Sequence, residues 1–396
     1  LEMGKPIRES RGEAIRMAQV FRFFSGEGLR ATGERYEQML TGSVAYTVRR
    51  PLGVVGLITP WNFPAAIPAW KVAPALAFGN TVVLKLAHDA PLTGLHLTAC
   101  LEEAGIPPGV FNVVTGGRDA GAALAEHPRV RKIGFIGSVN AGRAVMRAAS
   151  GSLKALTLEL GGKNALIACP DASPEEIADG VVRGMNFRYV TGQSCNSTSR
   201  IYLHDAIHDE ALASIVRKVG EIRLGMPIDP DTEMGCLSSK AQYEKTLAYI
   251  ALGLEEGAKL AYGGKRPTDP RLARGYFVEP TVFAGVRDDM RIAREEIFGP
   301  VVSILRWSDE DDVVARVNAL DVGLTASIFT HDLDRAHRLA ARVEAGYVWV
   351  NNASTHHVGV PFGGYKQSGM GREESIDELL ACTQIKNVSV TLRRTT

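Results

Sequence analysis

Five short apolar runs before residue 160 constrain the fold of this chain more than any other feature of its sequence. Each run stands between stretches with helical spacing, and it is too short for a helix and too apolar for a half-exposed strand. Such runs are typical of strands that are buried on both faces of a parallel sheet, with helices packed between them. The runs are Val54–Ile58, Thr81–Leu84, Val110–Val114, Lys132–Ile136 and Leu156–Leu158.

A second set of strand-like runs lies beyond residue 160 and predicts a second sheet. The adjacent glycines Gly161 and Gly162 mark a natural break between the two sets. We therefore predict two doubly wound α/β domains that are divided near residue 160. The runs of the second set are Arg200–Leu203, Val301–Leu305, Ala326–Phe329 and Tyr347–Val350.

The N-terminal part of the chain carries two further patterns. Helical spacing from Ile7 to about Leu29 predicts a helix, and alternation from Ser43 to Arg49 predicts a strand with one solvated face. This strand has no obvious partner within its own domain. The residues expected to share one face of the helix are Ala14, Met17, Ala18 and Phe21.

The composition excludes several functional classes. The net charge of +1 gives no general electrostatic field for binding nucleic acid. No apolar run reaches the roughly 18 residues of a membrane-spanning helix, so we expect no membrane partner. The five cysteines are widely spaced and form no Cys-x-x-Cys pair, which indicates reduced thiols, a cytoplasmic location and no cysteine zinc site. They are Cys100, Cys169, Cys195, Cys236 and Cys382.

Polar residues recur directly after four of the predicted buried strands. Thr59–Pro64 follows the first strand, Lys85 the second, Gly137-Ser138 the fourth and Glu159 the fifth. Ligands of open α/β sheets bind at the carboxyl ends of the strands. The sequence therefore predicts a binding cleft at this edge of the first sheet.

Cys195 is the first candidate for chemistry. It lies in a segment of small and polar residues from Thr191 to Arg200, in which Gly192 permits close approach of the backbone. An isolated cysteine of this kind is either a nucleophile or a buried structural thiol, and the local sequence leaves both interpretations open.

Two polar residues at strand ends are candidate partners for such a nucleophile. Glu159 closes an apolar strand, where burial would raise its pKa toward that of a general base for water; the alternative is an acid that faces solvent. Asn62 lies between two aromatic residues, where it either donates to an oxyanion or caps a helix.

The glycines after the fourth predicted strand suit a phosphate group. Gly134, Gly137 and Ser138, with Gly142 beyond them, open a helix directly after a strand, where free N–H groups favour a pyrophosphate. The spacing differs from Gly-x-Gly-x-x-Gly, so this motif is weak evidence by itself.

Two histidine pairs, His204 with His208 and His356 with His357, are the only other candidates for metal ligands. Neither pair has a third ligand nearby in the sequence, so we predict no metal site.

Taken in order along the chain, the motifs resemble those of the NAD(P)-dependent aldehyde dehydrogenase superfamily. Each motif is moderately specific, and their common order and spacing along almost the whole chain carry the resemblance. The matching segments are Glu2-x-Gly-Lys-Pro6, Pro60-Trp-Asn-Phe-Pro64, Gly79-Asn-Thr-Val-Val-Leu-Lys85, Leu158-Glu-Leu-Gly-Gly-Lys163, Gly192-Gln-Ser-Cys195, Glu296-Ile-Phe-Gly-Pro300 and Pro361-Phe-Gly-Gly-x-Lys-x-Ser-Gly-x-Gly-Arg-Glu373.

The resemblance implies a role for each matching residue. Cys195 is the implied nucleophile, Glu159 the base that activates water, and Asn62 an oxyanion donor beside the backbone N–H of Cys195. Lys71 and Glu373 match positions of a proton relay. The implied cofactor residues are Trp61, Lys85, His88, Gly137, Ser138, Glu296 and Phe298. The implied substrate-pocket residues are Phe63, Trp70, Arg188, Tyr189, His356 and Phe362.

The resemblance also implies a domain organisation. Residues 1–32 and 52–159 would form a Rossmann-like dinucleotide-binding domain, and residues 160–367 a Rossmann-like catalytic domain. Residues 33–51 and 383–396 would form a small β arm that joins subunits into a homodimer or homotetramer. The family's segment ahead of Glu2 is absent from this sequence.

Two departures from the family's pattern concern the site. Val190 stands where the family usually has an asparagine shortly before the nucleophile. His88, followed by Asp89, stands where a carboxylate usually binds the adenosine ribose. Because a histidine does not repel a 2′-phosphate, we predict relaxed selectivity between NAD and NADP.

The leading prediction is an enzyme that oxidises a small-molecule aldehyde to a carboxylic acid with NAD(P)+, through a cysteine thioester that water hydrolyses. A CoA-acylating semialdehyde dehydrogenase is the close rival, and a non-catalytic protein on the same scaffold is the third interpretation. Glu159 favours hydrolysis, because acyl transfer to CoA needs no base for water. The pocket aromatics suit an apolar or aryl aldehyde, whereas Arg188 and His356 favour an anionic one unless Arg188 turns away into a salt bridge.

Overall fold

The computed structural model describes residues 1–37 and 42–392, which form two large sheets, two small ones and the helices around them. In chain order to residue 160 the elements are α1 (Ile7–Arg30), β1 (Arg35–Tyr36), β2 (Ser43–Pro51), β3 (Val54–Ile58), α2 (Ala66–Ala77), β4 (Thr81–Lys85), α3 (Leu92–Glu103), β5 (Phe111–Val114), α4 (Arg118–Glu126), β6 (Val130–Gly137), α5 (Val139–Ser150) and β7 (Ala155–Leu160).

Beyond residue 160 the second part of the chain contributes the remaining elements. They are β8 (Asn164–Ala168), α6 (Pro174–Gly184), α7 (Phe187–Val190), β9 (Thr198–His204), α8 (His208–Gly220), α9 (Lys240–Glu255), β10 (Lys259–Tyr262), β11 (Thr281–Ala284), α10 (Arg291–Arg294), β12 (Val301–Trp307), α11 (Glu310–Asn318), β13 (Val322–Gly323), β14 (Thr325–Phe329), α12 (Leu333–Arg342), β15 (Tyr347–Val350), β16 (Tyr365–Lys366), β17 (Gly369–Met370), α13 (Ile376–Ala381) and β18 (Thr383–Thr391).

The first large sheet has six strands in the order β17-β7-β6-β3-β4-β5 and contains all five predicted strands of the first set. Its strands run parallel, except that β17 closes the edge antiparallel to β7. Neighbouring residues of β3 pack into different apolar clusters: Leu57 with Val72 of α2, and Ile58 with Val145 of α5. Helices therefore cover both faces of the inner strands, as the continuous apolar runs predict. The predicted burial of the Val110–Val114 run is wrong, because β5 lies at the edge of the sheet and Asn112 and Val114 are exposed.

The second large sheet has seven strands in the order β10-β11-β12-β9-β8-β14-β15 and is parallel except for β10. The four predicted strands of the second set are β9, β12, β14 and β15. Strands β8, β10 and β11 were not predicted. The whole of β8 is buried, and its apolar run Ala165–Ala168 is so short that its pairing with β9 and β14 defines it as a strand. The predicted doubly wound α/β class is confirmed.

The chain changes sheets between β7 and β8, which supports the predicted domain boundary near residue 160. It returns to the first sheet at β17, directly after the predicted end of the second domain at residue 367. These boundaries stay predictions, since sheet membership alone does not define a folding unit.

The predicted arm is a three-stranded sheet in the order β1-β2-β18. Its predicted ranges include residues 38–41 and 393–396, which lie outside the described residues. The expectation that Ser43–Arg49 lacks a partner is wrong, because β2 pairs with β1 on one side and along its length with β18 on the other. Within β2, Tyr46 is exposed, whereas its neighbour Ala45 is buried.

Helix α1 has the predicted extent, and Met17 and Phe21 of its predicted face are partly buried against the apolar core. Ala14 is exposed, and the buried positions are Glu13, Val20 and Phe24. A glutamate is buried here because its carboxylate forms an ion pair with Lys5 and accepts hydrogen bonds from the backbone at the start of α2. None of the described helices combines the length and apolar character needed to cross a membrane.

Candidate active site

The segment that carries Cys195 connects α7 with β9 and is shaped by left-handed backbone. Thr191 has φ 56° and Gly192 has φ 71°. A Cβ on Gly192 would lie 2.4 Å from the carbonyl oxygen of Gly299, so only glycine allows this approach. The cysteine segment is thereby packed against the Glu296–Pro300 segment.

The Cys195 thiol and the Glu159 carboxyl lie close enough to perturb each other. Burial, and then the charge of Glu159, raise the pKa of the Cys195 thiol well above its usual value, while the backbone N–H of Asn196 opposes the rise. Without ligands the sulfur is therefore a protonated thiol, which is a poor nucleophile until a base removes its proton.

Glu159 lies one residue before the end of β7 and is 1 % exposed. No nitrogen or oxygen donor in the described part of the chain hydrogen-bonds either of its carboxyl oxygens. Burial raises the pKa of Glu159 to about 8, although a hydrogen bond from the Cys195 thiol opposes the rise. The solvent-facing alternative is thus wrong, and Glu159 has the pKa of a base that works near neutrality.

Asn62 lies in the loop between β3 and α2 and is buried. Its Nδ2 donates a 3.0 Å hydrogen bond to the carbonyl oxygen of Gln193, which leaves one N–H of the amide unused. Asn62 does not cap a helix, because α2 begins at Ala66 and the carboxylate of Glu13 accepts the backbone N–H groups of Ala65 and Ala66.

A cavity of about 210 Å³ opens at the carboxyl ends of the first sheet's strands, where the sequence predicts a cleft. It brings together five of the seven predicted cofactor residues and the three principal catalytic candidates. Its lining includes Trp61, Gly137, Ser138, Glu296 and Phe298, together with Asn62, Glu159 and Cys195. The rings of Trp61 and Phe298 meet edge to face at 5.6 Å.

The residues around this cavity fit a dinucleotide. Ser138 caps α5, whose N-terminus follows β6 directly, so backbone N–H groups are available to a pyrophosphate. A Cβ on Gly161 would lie 2.2 Å from the carboxylate of Glu296, so this close approach requires glycine. Burial raises the pKa of Glu296 to about 7, opposed by the charge of Lys245 and the N–H of Gly162. A ribose hydroxyl would satisfy this poorly partnered carboxyl.

Lys85 and His88 lie outside that cavity, further along the same sheet edge. Lys85 ends β4 and is buried, and burial lowers the pKa of its ammonium, although Asp89 opposes the change. His88 is exposed, and its Nε2 lies 3.1 Å from Asp89 Oδ1. The carboxylate of Asp89 is therefore already in contact with the imidazole of His88.

Two residues of this cavity were not predicted from the sequence. Gln242 donates to the carbonyl oxygens of Ile297 and Phe298, and Lys245 donates to the carbonyl oxygen of Glu296. Both lie on α9, a helix without a motif of its own, so only its position against the Glu296–Pro300 segment reveals them.

A second cavity of about 470 Å³ lies on the other side of Cys195. Five of the six predicted pocket residues line it: Phe63, Trp70, Tyr189, His356 and Phe362. The sixth residue, Arg188, lines a neighbouring polar cavity instead, and its guanidinium lies 3.4 Å from Glu233. Of the two predicted alternatives for Arg188, the structure therefore has the one in which it turns away into a salt bridge.

Lys71 and Glu373, the predicted relay residues, form a buried ion pair beneath the site. Lys71 also lies 3.7 Å from Glu378, a buried carboxyl that no motif predicted. Burial lowers the pKa of Lys71, but the two carboxylates outweigh it and leave the pKa raised. Burial and the charge of Glu373 raise the pKa of Glu378 well above its usual value. The carboxyl groups of Glu373 and Glu378 therefore carry a single negative charge between them.

No group of three or more His, Cys, Asp or Glu side chains suited to a metal ion occurs within residues 1–37 and 42–392. His204 and His208 are engaged separately: His204 Nδ1 accepts from the backbone of Ala206, and His208 Nδ1 lies 2.7 Å from Asp209. His356 contacts Asn196 and Glu374 in the wall of the larger cavity.

Comparisons with known proteins agree on one family. The profile described as "Aldehyde dehydrogenase family" matches residues 1–388. Aldehyde dehydrogenase tropH of Talaromyces stipitatus is 47% identical over 399 residues, which cover 98% of this chain and 76% of that protein. A betaine aldehyde dehydrogenase of Mesorhizobium japonicum is 46% identical over 391 residues, with coverages of 98% and 80%. The crystal structure of a betaine aldehyde dehydrogenase from Staphylococcus aureus in complex with NAD+ superposes with a TM-score of 0.96 at 34% identity, covering 100% of this chain and 78% of that one.

Proposed function

This chain belongs to the aldehyde dehydrogenase family and oxidises an aldehyde with NAD(P)+, and we propose that the reaction passes through a thioester on Cys195 that water hydrolyses. One observation carries the proposal: Cys195 lines both cavities, the one with the cofactor motifs and the one with the aromatic walls. A substrate carbon bound to its sulfur would lie between the two.

The cofactor would be held in the smaller cavity by Trp61, Ser138, Glu296 and Phe298, with Lys85 further along the sheet edge. When bound, its nicotinamide accepts a hydride from the substrate carbon. Trp61 and Phe298, whose rings meet edge to face, both line this cavity.

Glu159 would first act on the thiol. Its carboxylate accepts the proton from Cys195 Sγ as the sulfur bonds to the aldehyde carbon, and the carbonyl oxygen becomes an oxyanion. The raised pKa of Glu159, about 8, makes it basic enough to accept this proton. The backbone N–H of Asn196 stabilises the thiolate as it forms.

Asn62 would stabilise the oxyanion. One N–H of its amide is held by the carbonyl oxygen of Gln193, and the other is free to donate beside the backbone N–H of Cys195. Loss of hydride from the carbon restores the C=O bond and leaves the thioester.

Deacylation would use Glu159 again, after it has released the first proton. It accepts a proton from water, the new C–O bond forms, the C–S bond breaks, and the sulfur leaves as thiolate. Glu373, whose carboxylate is ion-paired with Lys71, would receive protons from Glu159, since the charges of this buried pair lie near enough to influence the pKa of Glu159. The products are a carboxylic acid and the regenerated enzyme.

Transfer of the acyl group to CoA is the rival chemistry, and the position of Glu159 favours water. A buried carboxyl without polar partners beside the nucleophile is costly, and a base for water explains its presence. NADH formation with a panel of aldehydes, with and without CoA, tests the proposal. Activity that depends on CoA would overturn it, as would turnover by Cys195→Ala equal to that of the control Cys100→Ala, whose cysteine is exposed.

The arm supports assembly of two or four subunits. In the described part of the arm, β18 is an edge strand of nine residues with exposed apolar side chains, and such an edge favours pairing with a second chain.

The five cysteines are free thiols in the structure, as a reducing compartment such as the cytoplasm requires.

A further inference from the structure

One face of α1 forms part of the wall of the substrate cavity. Gly12, Ile15, Arg16 and Gln19 line the cavity, and their spacing of three and four residues places them on the same side of the helix. Arg16 is the only arginine or lysine among the described lining residues, and none of those residues is an aspartate or glutamate. The lining of the cavity therefore carries one guanidinium and no carboxylate.

Arg16 is held in place from behind by Glu374. Its Nη2 forms an ion pair with Glu374 Oε1, and the Glu374 side chain is 1% exposed. Glu374 has φ 60°, a left-handed conformation that residues other than glycine seldom adopt. Its carboxylate does not reach the cavity lining, so it orients the arginine without meeting the substrate.

His356 has no free donor for a substrate, although it lines the same cavity. Its Nε2 lies 2.8 Å from Asn196 Nδ2, while Asn196 Oδ1 accepts from Ser194 Oγ and Asn186 Nδ2. Since Asn196 Nδ2 is a donor, Nε2 of His356 is the acceptor, and the proton is on Nδ1, 3.1 Å from Glu374 Oε2. Because Arg188 points into the neighbouring cavity, Arg16 is left as the cation available to a substrate.

The guanidinium of Arg16 retains a pair of donors that matches a carboxylate. Nη2 has one hydrogen beside Nε and another beside Nη1, and Glu374 Oε1 takes one of them. One complete two-donor edge of the guanidinium therefore remains, which is the geometry of bidentate carboxylate binding.

The remaining walls suit a flat, unsaturated body. The rings of Phe63 and Tyr189 lie 5.4 Å apart, and those of Trp70 and Phe362 lie 6.3 Å apart. A cavity of about 470 Å³ has the size of a pocket for one substituted aromatic ring. A cationic head group would meet Arg16 and no lining carboxylate.

We propose that the substrate is a planar aldehyde with a carboxylate at its far end, and that Arg16, oriented by Glu374, is the residue that selects it. This inference rests on the proposed function and names its substrate class. It separates this chain from the relatives whose names specify betaine aldehyde, since that substrate carries a cation where Arg16 would meet it.

Benzaldehydes that differ only in the charge of one ring substituent test the proposal. The probes are the meta and para isomers of carboxybenzaldehyde, formylbenzamide and trimethylammonio-benzaldehyde, with kcat/KM measured for each. We expect the carboxylate to be preferred over the amide by roughly 10- to 150-fold, the range of a charge-assisted hydrogen bond, and the cation to be the poorest substrate.

Arg16→Met should remove this preference, so that kcat/KM for the carboxylate falls to that for the amide measured on the same variant. Arg22→Met is the matched control, because Arg22 is an exposed residue of the same helix outside the cavity. Arg16→Met leaves Glu374 as an unpaired buried charge. If that variant does not fold, the double variant Arg16→Met/Glu374→Gln removes both charges and is expected to show the same loss of preference.

The outcomes separate this inference from the proposed function. Equal or better turnover of the cationic aldehyde, or an unchanged carboxylate-to-amide ratio in Arg16→Met or in the double variant, would overturn the role of Arg16 while leaving the cysteine chemistry intact. Absence of NADH formation with every aldehyde, including the neutral ones, would instead count against the proposed function.

Discussion

The side-chain amide of Asn62 donates a 3.0 Å hydrogen bond to the backbone carbonyl of Gln193, two residues before the nucleophile. This contact joins the loop after β3 of the first sheet to the loop before β9 of the second. The proposed oxyanion donor and the proposed nucleophile are thus connected by a hydrogen bond between segments that are distant in the sequence.

Asn62→Ala is expected to lower kcat by roughly 100- to 1,000-fold, because one oxyanion donor is lost. Asn80→Ala is the matched control. Its amide makes purely structural bonds to Leu52, Gly53, Ala75 and Cys382, so its loss should lower the melting temperature and preserve kcat. Steady-state kinetics and thermal unfolding of both variants measure the two effects. A wild-type kcat for Asn62→Ala would show that Asn62 does not act in catalysis.

Glu159→Gln should separate acylation from deacylation. Gln removes the charge that raises the pKa of the Cys195 thiol, so the sulfur can lose its proton without Glu159, whereas the water of deacylation is left without a base. The acyl-enzyme should therefore accumulate, and we expect a pre-steady-state burst of NADH followed by slow turnover. The control is Glu176→Gln, an exposed glutamate beside His331. Stopped-flow absorbance measures the burst, and a variant that turns over at the wild-type rate would show that Glu159 is an ordinary structural acid.

The pKa of Glu159 also predicts a pH-dependent stability. The pKa rises from 4.5 to about 8 on folding, so between these pH values the native state holds a proton that the unfolded chain has released. The free energy of unfolding contributed by this group therefore falls as pH rises through the window. Gln mimics the protonated form, so Glu159→Gln should gain stability relative to wild type toward pH 8, by an amount of the order of a few kcal/mol. Denaturant unfolding at several pH values measures the difference, and a difference that does not change with pH would contradict the raised pKa.

Cofactor selectivity is expected to be relaxed, because His88 is neutral or cationic and Asp89 is engaged by it at 3.1 Å. The ratio of kcat/KM for NAD and NADP at fixed aldehyde measures this. His88→Glu should shift the ratio toward NAD by repelling the 2′-phosphate, whereas His96→Glu, on the exposed side of α3, should not. A wild-type preference for NAD above about a hundredfold, or roughly 2.7 kcal/mol, would mean that another acid binds the ribose.

Assembly through the arm predicts that one charge on β18 weakens the oligomer. Ile385 is 61% exposed on this strand, and burial against a second subunit would explain it. Ile385→Glu should lower the sedimentation coefficient toward that of a monomer, while Leu254→Glu, on exposed α9, should leave it unchanged. A stable wild-type monomer at micromolar concentration would argue against the arm as an interface.

Much of the fold follows from local patterns. The apolar runs that became β3, β4, β6 and β7 are largely buried, and burial on both faces of a strand requires continuous apolar sequence. Strand β8 was not predicted, and its pairing with β9 and β14 defines it. The burial of Glu13 on α1 was not predicted either, since it depends on Lys5 and on the start of α2.

The candidate site likewise has features that the sequence predicts and features that only tertiary packing decides. Motif order along the chain was enough to nominate Cys195, Glu159 and Asn62, because each stands beside a strand end or a glycine that restricts the backbone. Tertiary packing decided the raised pKa of Glu159, the exclusion of Arg188 from the substrate cavity and the placement of Arg16 within it. Periodicity and turn chemistry act over a few neighbouring residues and can be read locally. Desolvation and ion pairing depend on which distant segments meet, as Arg16 meets Glu374 across most of the chain, and that information exists only in the folded protein.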